Sequence, residues 1–188
     1  NNMIDMHAHW RPAELAEELR ARTREPRLTR NDDGVEVLRT RNGDEPLSKA
    51  FDDVDFHLQR MDKQGVTTSA LSLLGSFCWI ESQPAEVSLG LCKKVNNALS
   101  AICVKHPGRF TAFAALPLAD MTMAAAELER ALNLPGMLGA QIPATFSQQN
   151  YSAAHTMATT DGIVWLGAGS SLVLSNIATS GPFFIENV

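Results

Sequence analysis

The sequence predicts an α/β fold built on a parallel sheet. Short apolar runs such as Val66–Leu74, Phe110–Leu116 and Met137–Ile142 alternate with longer stretches whose apolar residues recur every three or four positions. Asp-Gly, Asn-Gly and Pro-Gly pairs punctuate the boundaries. Strands that alternate with amphipathic helices give parallel sheets with right-handed crossovers.

Met3–Met6 opens the chain as a short apolar strand that ends at His7. Pro12–Arg22 follows as a helix, with Pro12 suited to a first turn and Leu15, Ala16 and Leu19 on one face. Asp33-Gly34 and Asn42-Gly43 bracket Val35–Arg41, a small β excursion. Asp52 or Asp53 caps a helix carrying Val54, Leu58 and Met61, which Gly65 stops. The uncharged, β-rich run Val66–Leu74 has the composition of a strand buried on both faces.

The pattern then repeats. Pro84–His106 carries Val87, Leu91, Val95, Leu99 and Ile102 along one helical stripe. Pro107-Gly108 turns the chain into the strand Phe110–Leu116. Asp120 caps Met121–Asn133, Pro135-Gly136 turns again, and Met137–Ile142 is a fourth strand.

Composition limits what the chain can do. The 188 residues carry 16 Lys and Arg against 21 Asp and Glu, a net charge of −5, so a broad nucleic-acid footprint is not expected. Hydrophobic residues make up 45%, enough for a packed core and against intrinsic disorder. Cys78, Cys92 and Cys103 are odd in number and lack C-x-x-C spacing, which argues against a disulfide framework or a cysteine zinc site. No basic segment with an apolar run behind it opens the chain, and a cytoplasmic location is expected. Charge nearly vanishes after residue 140: residues 141–188 keep only Asp161 and Glu186. The uncharged run 162–185 is interrupted by Gly167, Ser170, Ser171, Ser175, Asn176, Ser180 and Pro182, so no membrane span is expected.

His7 and His9 form the sharpest chemical signal. Residues two apart in a strand project to one side, and two neutral imidazoles at that spacing can share a divalent ion. H-x-H alone is common, and two ordinary histidines near a terminus remain the competing reading.

The stretches IDMHAHWRP, MDKQGVTTSALSL, LCKKVNNALSAICVKHPGRFTAFAALPLAD and AAAELERALNLPGMLGAQI occur in a consistent order. Together they resemble the amidohydrolase superfamily, in the branch that contains aminocarboxymuconate semialdehyde decarboxylase and related nonoxidative decarboxylases. That resemblance implies a (β/α)8 TIM barrel with one divalent metal, zinc in the first instance and manganese or iron otherwise. It makes His7 and His9 the first two ligands. It implies a metal-dependent carbon–carbon lyase, a decarboxylase, acting on a small-molecule carboxylate. A metal-dependent hydrolase of the same superfamily and a catalytically incompetent fragment or interaction module are the alternatives.

The chain departs from that pattern after residue 142. Only 46 residues follow, whereas a complete barrel takes about 250 residues. The family's His after a fifth strand and its Asp after an eighth are not found. Ser175–Val188 resembles a stretch from late in such barrels, which implies missing internal sequence. We therefore expect a single domain over 1–188: about four β/α units over 1–142, then a divergent, incomplete tail over 143–188.

Several other residues are candidates. His155 is the tail's one histidine and a possible third ligand, and Asp161 a possible carboxylate ligand, although a turn before Gly162 also explains it. Trp10 and Arg11 follow the histidines directly, and Arg11 could grip a substrate carboxylate or serve a salt bridge. Phe77, Cys78 and Trp79 follow the second strand of the alternation and could line the same mouth. His57 lies among Asp55, Gln59 and Arg60 and is expected to be solvated, and His106 belongs to the opposite end of the sheet. An incomplete barrel leaves open strand edges, so a homo-oligomer is expected.

Overall fold

The computed structural model describes residues 3–40 and 42–142 and, beyond them, the backbone of short strand segments between residues 145 and 174. Strand β1 (Met3–Trp10) leads through a 3-10 turn (Ala13–Leu15) into α1 (Ala16–Ala21). A ribbon of β2 (Arg27–Arg30), β3 (Glu36–Thr40) and β4 (Gly43–Pro46) follows. The alternation then resumes with α2 (Val54–Gln64), β5 (Val66–Leu73), α3 (Ala85–Lys105), β6 (Phe110–Ala114), α4 (Met121–Leu132) and β7 (Met137–Ile142). The later segments are β8 (Thr145–Phe146), β9 (Gln149–Asn150), β10 (Thr156–Met157), β11 (Ile163–Leu166) and β12 (Val173–Leu174).

The main sheet has the order β1-β5-β6-β7-β11, and every pair in it is parallel. The expected alternation of four parallel strands over the first 142 residues is therefore present. The helix boundaries follow local chemistry. Asp53 accepts a hydrogen bond from the Phe56 amide (2.9 Å) and Asp120 from the Met123 amide (2.9 Å), so each caps its helix. Gly65 ends α2 in the left-handed region at φ 72°.

Three local expectations change. The first strand does not stop at His7 but continues to Trp10, with one extra residue accommodated between Asp5 and Ala8 opposite β5. Asp5 accepts the His7 amide (3.0 Å) at this irregularity. The first helix is shorter, because Ala13–Leu15 tighten into a 3-10 turn. The β excursion is an antiparallel three-stranded sheet in which β3 pairs with both β2 and β4.

Side chains alternate across the main sheet. Ala8, Trp10, Leu71, Leu73, Ala112, Ala114, Ala140 and Ile142 join the core that the helices cover. Helix α3 adds Cys92, Val95 and Leu99, and α4 adds Ala124, Leu128 and Ala131, all fully buried. Burying a leucine of this kind stabilises by about 1.5–3 kcal/mol relative to leaving it in water. By the same alternation His9, Ser72, Phe113 and Gln141 belong to the other face.

A polar bridge lies just beyond β6. Buried Asn96 of α3 donates to the Ala115 carbonyl (3.0 Å) and accepts from the Ala115 amide (2.9 Å). It also donates to Glu127 of α4 (2.8 Å), which Arg130 pairs at 2.7 Å. Glu81 accepts from the Leu116 amide (3.1 Å). Two consecutive residues at the carboxyl end of β6 are thus held by side chains from two other elements.

Candidate metal centre

His7 and His9 lie on the last turn of the β1 pleat, at the carboxyl end where parallel α/β barrels place their chemistry. Their Nε2 atoms are 3.0 Å apart, with the rings edge to face at 4.7 Å between centroids. Two nitrogens each about 2.1 Å from a common ion are separated by about 3.0 Å at a right angle and about 3.4 Å at the tetrahedral angle. The observed spacing matches the right-angle case and is also the length of a hydrogen bond between the two rings. His7 is exposed and His9 half-buried.

The neighbourhood holds His9 in its neutral form. Burial disfavours the imidazolium and lowers the pKa, His7 adds to that, and a hydrogen bond with the Leu73 backbone opposes both. A neutral ring is the form that ligates metal. His9 Nδ1 lies 3.2 Å from Ser72 Oγ, the residue opposite His9 in the β1–β5 register. Sequence reasoning did not single out Ser72. The only available signal was a serine within the apolar stretch ALSLL, and it needs the strand register to become meaningful.

The remaining candidates are dispersed. Arg11 is 7% exposed and forms an ion pair with Asp52, while its amide donates to the Phe51 carbonyl (2.6 Å). It borders a cavity of about 210 Å³ whose walls include Leu19, Leu28 and Leu47. Trp10 is 4% exposed and packs in the core near His57, so its ring does not stand beside the histidines. Trp79 is half-buried under the Arg22 guanidinium, 3.7 Å above the ring. His57 is 7% exposed rather than solvated, because it occupies the inner stripe of α2 with Met61. Phe77 is fully buried in the core. His155 and Asp161 lie outside the described residues, as does the Cys78 side chain. Among the described residues no cluster of three or more His, Cys, Asp or Glu is placed to share an ion.

A family model described as amidohydrolase matches residues 4–158. The chain belongs to the amidohydrolase family. Its fold class is that of the TIM-barrel amidohydrolases, with the parallel sheet described above as part of the barrel. Gamma-resorcylate decarboxylase of Rhodococcus jostii (strain RHA1) is 33% identical over 144 residues, covering 76% of this chain and 39% of that protein. Gamma-resorcylate decarboxylase of Rhizobium sp. (strain MTP-10005) is 36% identical over 102 residues, covering 54% of this chain and 30% of that protein. Among solved structures, an IDCase from Metarhizium anisopliae in apo form superposes with a TM-score of 0.72 at 21% identity, over 82% of this chain and 45% of that one. A dihydroxybenzoic acid decarboxylase from Polaromonas sp. JS666, with bound manganese and the inhibitor 2-nitroresorcinol, gives a TM-score of 0.56 at 26% identity. That match covers 81% of this chain and 41% of the other. The chain spans less than half the length of each of these proteins.

Proposed function

We propose that this amidohydrolase chain carries the first two ligands of a divalent-metal site, His7 and His9, in a decarboxylase acting on a small carboxylate. The observation that carries the reading is the 3.0 Å approach of the two Nε2 atoms at the carboxyl end of β1. The decarboxylases among the relatives, one of them holding manganese, favour carbon–carbon cleavage over hydrolysis. A bound divalent ion, zinc or manganese, would supply Lewis-acid polarisation of the substrate. The chain's own part is to hold the two imidazoles side by side and to orient the acid. Arg11 is our candidate for the latter; it is paired with Asp52 and borders a cavity whose walls do not include the two histidines, so it would have to exchange Asp52 for the substrate's acid group. Trp10 shapes that end of the strand from the core, and Trp79, held under Arg22 in the segment after β5, is not brought to the histidines.

Ligand number sets the expected rate. A catalytic site of this kind usually has three protein ligands, and the described residues place two together. The 188-residue chain should therefore bind zinc or manganese weakly and release carbon dioxide from 2,6-dihydroxybenzoate far more slowly than about 1 per second. Metal analysis of His7→Ala and His9→Ala proteins alongside a carbon dioxide assay tests both halves. Metal content unaffected by either substitution overturns the ligand assignment. Ordinary turnover would show that the residues beyond 142, His155 among them, complete the site.

A further inference from the structure

We infer that Ser72 is a positioning residue for the His9 imidazole, setting which ring nitrogen is presented to a metal ion. The inference rests on the reading that His7 and His9 share an ion. Ser72 is 6% exposed and sits on β5 directly opposite His9, so the backbone ladder fixes its Cβ relative to the ring. Its Oγ is 3.2 Å from His9 Nδ1, and His9 Nε2 is 3.0 Å from His7 Nε2. Both nitrogens of one ring are therefore engaged, and the two contacts are coupled through the tautomer.

A neutral imidazole has one donor and one acceptor nitrogen. When His9 Nε2 turns its lone pair to an ion, the ring's one proton sits on Nδ1, and Ser72 Oγ accepts it. The Leu73 backbone is hydrogen-bonded to the same ring and favours the same arrangement. An alanine in place of Ser72 would leave the ring with the backbone contact alone. Partners that orient ligating histidines in this way typically contribute about 10–100-fold in metal affinity.

The test uses the 188-residue chain and competition titration of Mn2+ and Zn2+ against a chromophoric chelator. Ser72→Ala should weaken binding about 10–100-fold, and Ser72→Thr, which keeps the hydroxyl, should restore most of the loss. A purely structural role for Ser72 would change thermal stability of the metal-free chain and leave affinity per folded molecule unchanged. The 15N shifts of the His9 ring in the unsubstituted protein give a second readout that needs no variant. With metal bound, Nδ1 should be protonated and Nε2 not. Equal affinities in the unsubstituted and Ser72→Ala proteins, or an unprotonated Nδ1 in the loaded protein, overturn the inference while the shared-ion reading stands. Failure of the unsubstituted chain to bind either ion in a His7- and His9-dependent manner overturns both.

Discussion

Strand β1 leaves Met3, Ile4 and Met6 exposed, whereas β6 and the turn after it bury every residue from Ala112 to Leu116. The two strands belong to one parallel sheet and differ in position. In the sheet order β1 comes first, with β5 as its neighbour, while β6 lies between β5 and β7 beneath α3 and α4. The histidine pair sits on the strand with exposed residues, between and beside the buried Ala8 and Trp10, and the polar bridge of Asn96, Glu127 and Arg130 sits by the buried one. Ligand chemistry needs side chains that a small molecule can reach. Stability needs side chains that water cannot.

The largest effect should come from the bridge. Asn96→Ala leaves the Ala115 amide and carbonyl without their side-chain partner in a buried place, an expected loss of about 2–4 kcal/mol. Asn96→Asp sharpens the test, since it keeps an acceptor for the Ala115 amide. It also removes the donor and faces a carboxylate toward Glu127, so it should destabilise at least as much. Urea unfolding measures both. A midpoint unchanged in Asn96→Asp would show that the donor half of the bridge contributes nothing.

Close packing on the same side gives the next effect. Gly136 has a φ of 81° in the turn before β7, and a Cβ there would lie 2.4 Å from Cys103 Cβ of α3. Gly136→Ala combines an unfavourable backbone conformation with a clash, an expected cost of about 1–3 kcal/mol. Gly65→Ala has the same sign of φ and open space around it, so it should cost less. Reversal of that order would remove the clash from the explanation.

These regions were not equally legible in the sequence. Alternation, the caps Asp53 and Asp120, and the Gly65 stop are local signals, and each appears where its chemistry dictates. The H-x-H pair was legible because strand period alone brings its rings together. Ser72 was not, because its meaning depends on the register between β1 and β5, which are about sixty positions apart in the chain. His57 misled because Asp55, Gln59 and Arg60 surround it in sequence, although Val54, His57 and Met61 share one helical stripe. Strand β2 escaped notice because arginines begin and end it, and only Leu28 is buried. Such strands are defined by their pairing partner rather than by their own composition.

His57 joins the two compared regions and gives a pH test. Its ring packs near Trp10 of β1 at 6.3 Å and Phe110 of β6 at 5.5 Å. Burial lowers its pKa below the ordinary 6.5; the Ala50 carbonyl and Asp5 oppose the shift, and Arg60 adds to it. The unfolded chain therefore takes up the proton first as pH falls. The stability gained from the neutral buried ring is complete above the unfolded value near 6.5 and is lost as pH falls through the lower folded value. His57→Phe should keep the aromatic contacts and flatten part of the decline in melting temperature between pH 7 and pH 5. His9 shifts in the same direction, so the comparison belongs in a His9→Ala background. An identical slope with and without His57 would break this link.

The smallest effect on stability should come from the exposed residues of β1. Ile4 is 57% exposed and Met6 38%. Replacing both by lysine, Ile4→Lys with Met6→Lys, removes little buried area and should change unfolding free energy by no more than about 0.5 kcal/mol. Since neither residue contributes to the His7–His9 contact, metal binding should survive. A larger loss in urea unfolding would show that the two side chains are covered in the folded protein, and β1 would then differ from β6 only in its histidines.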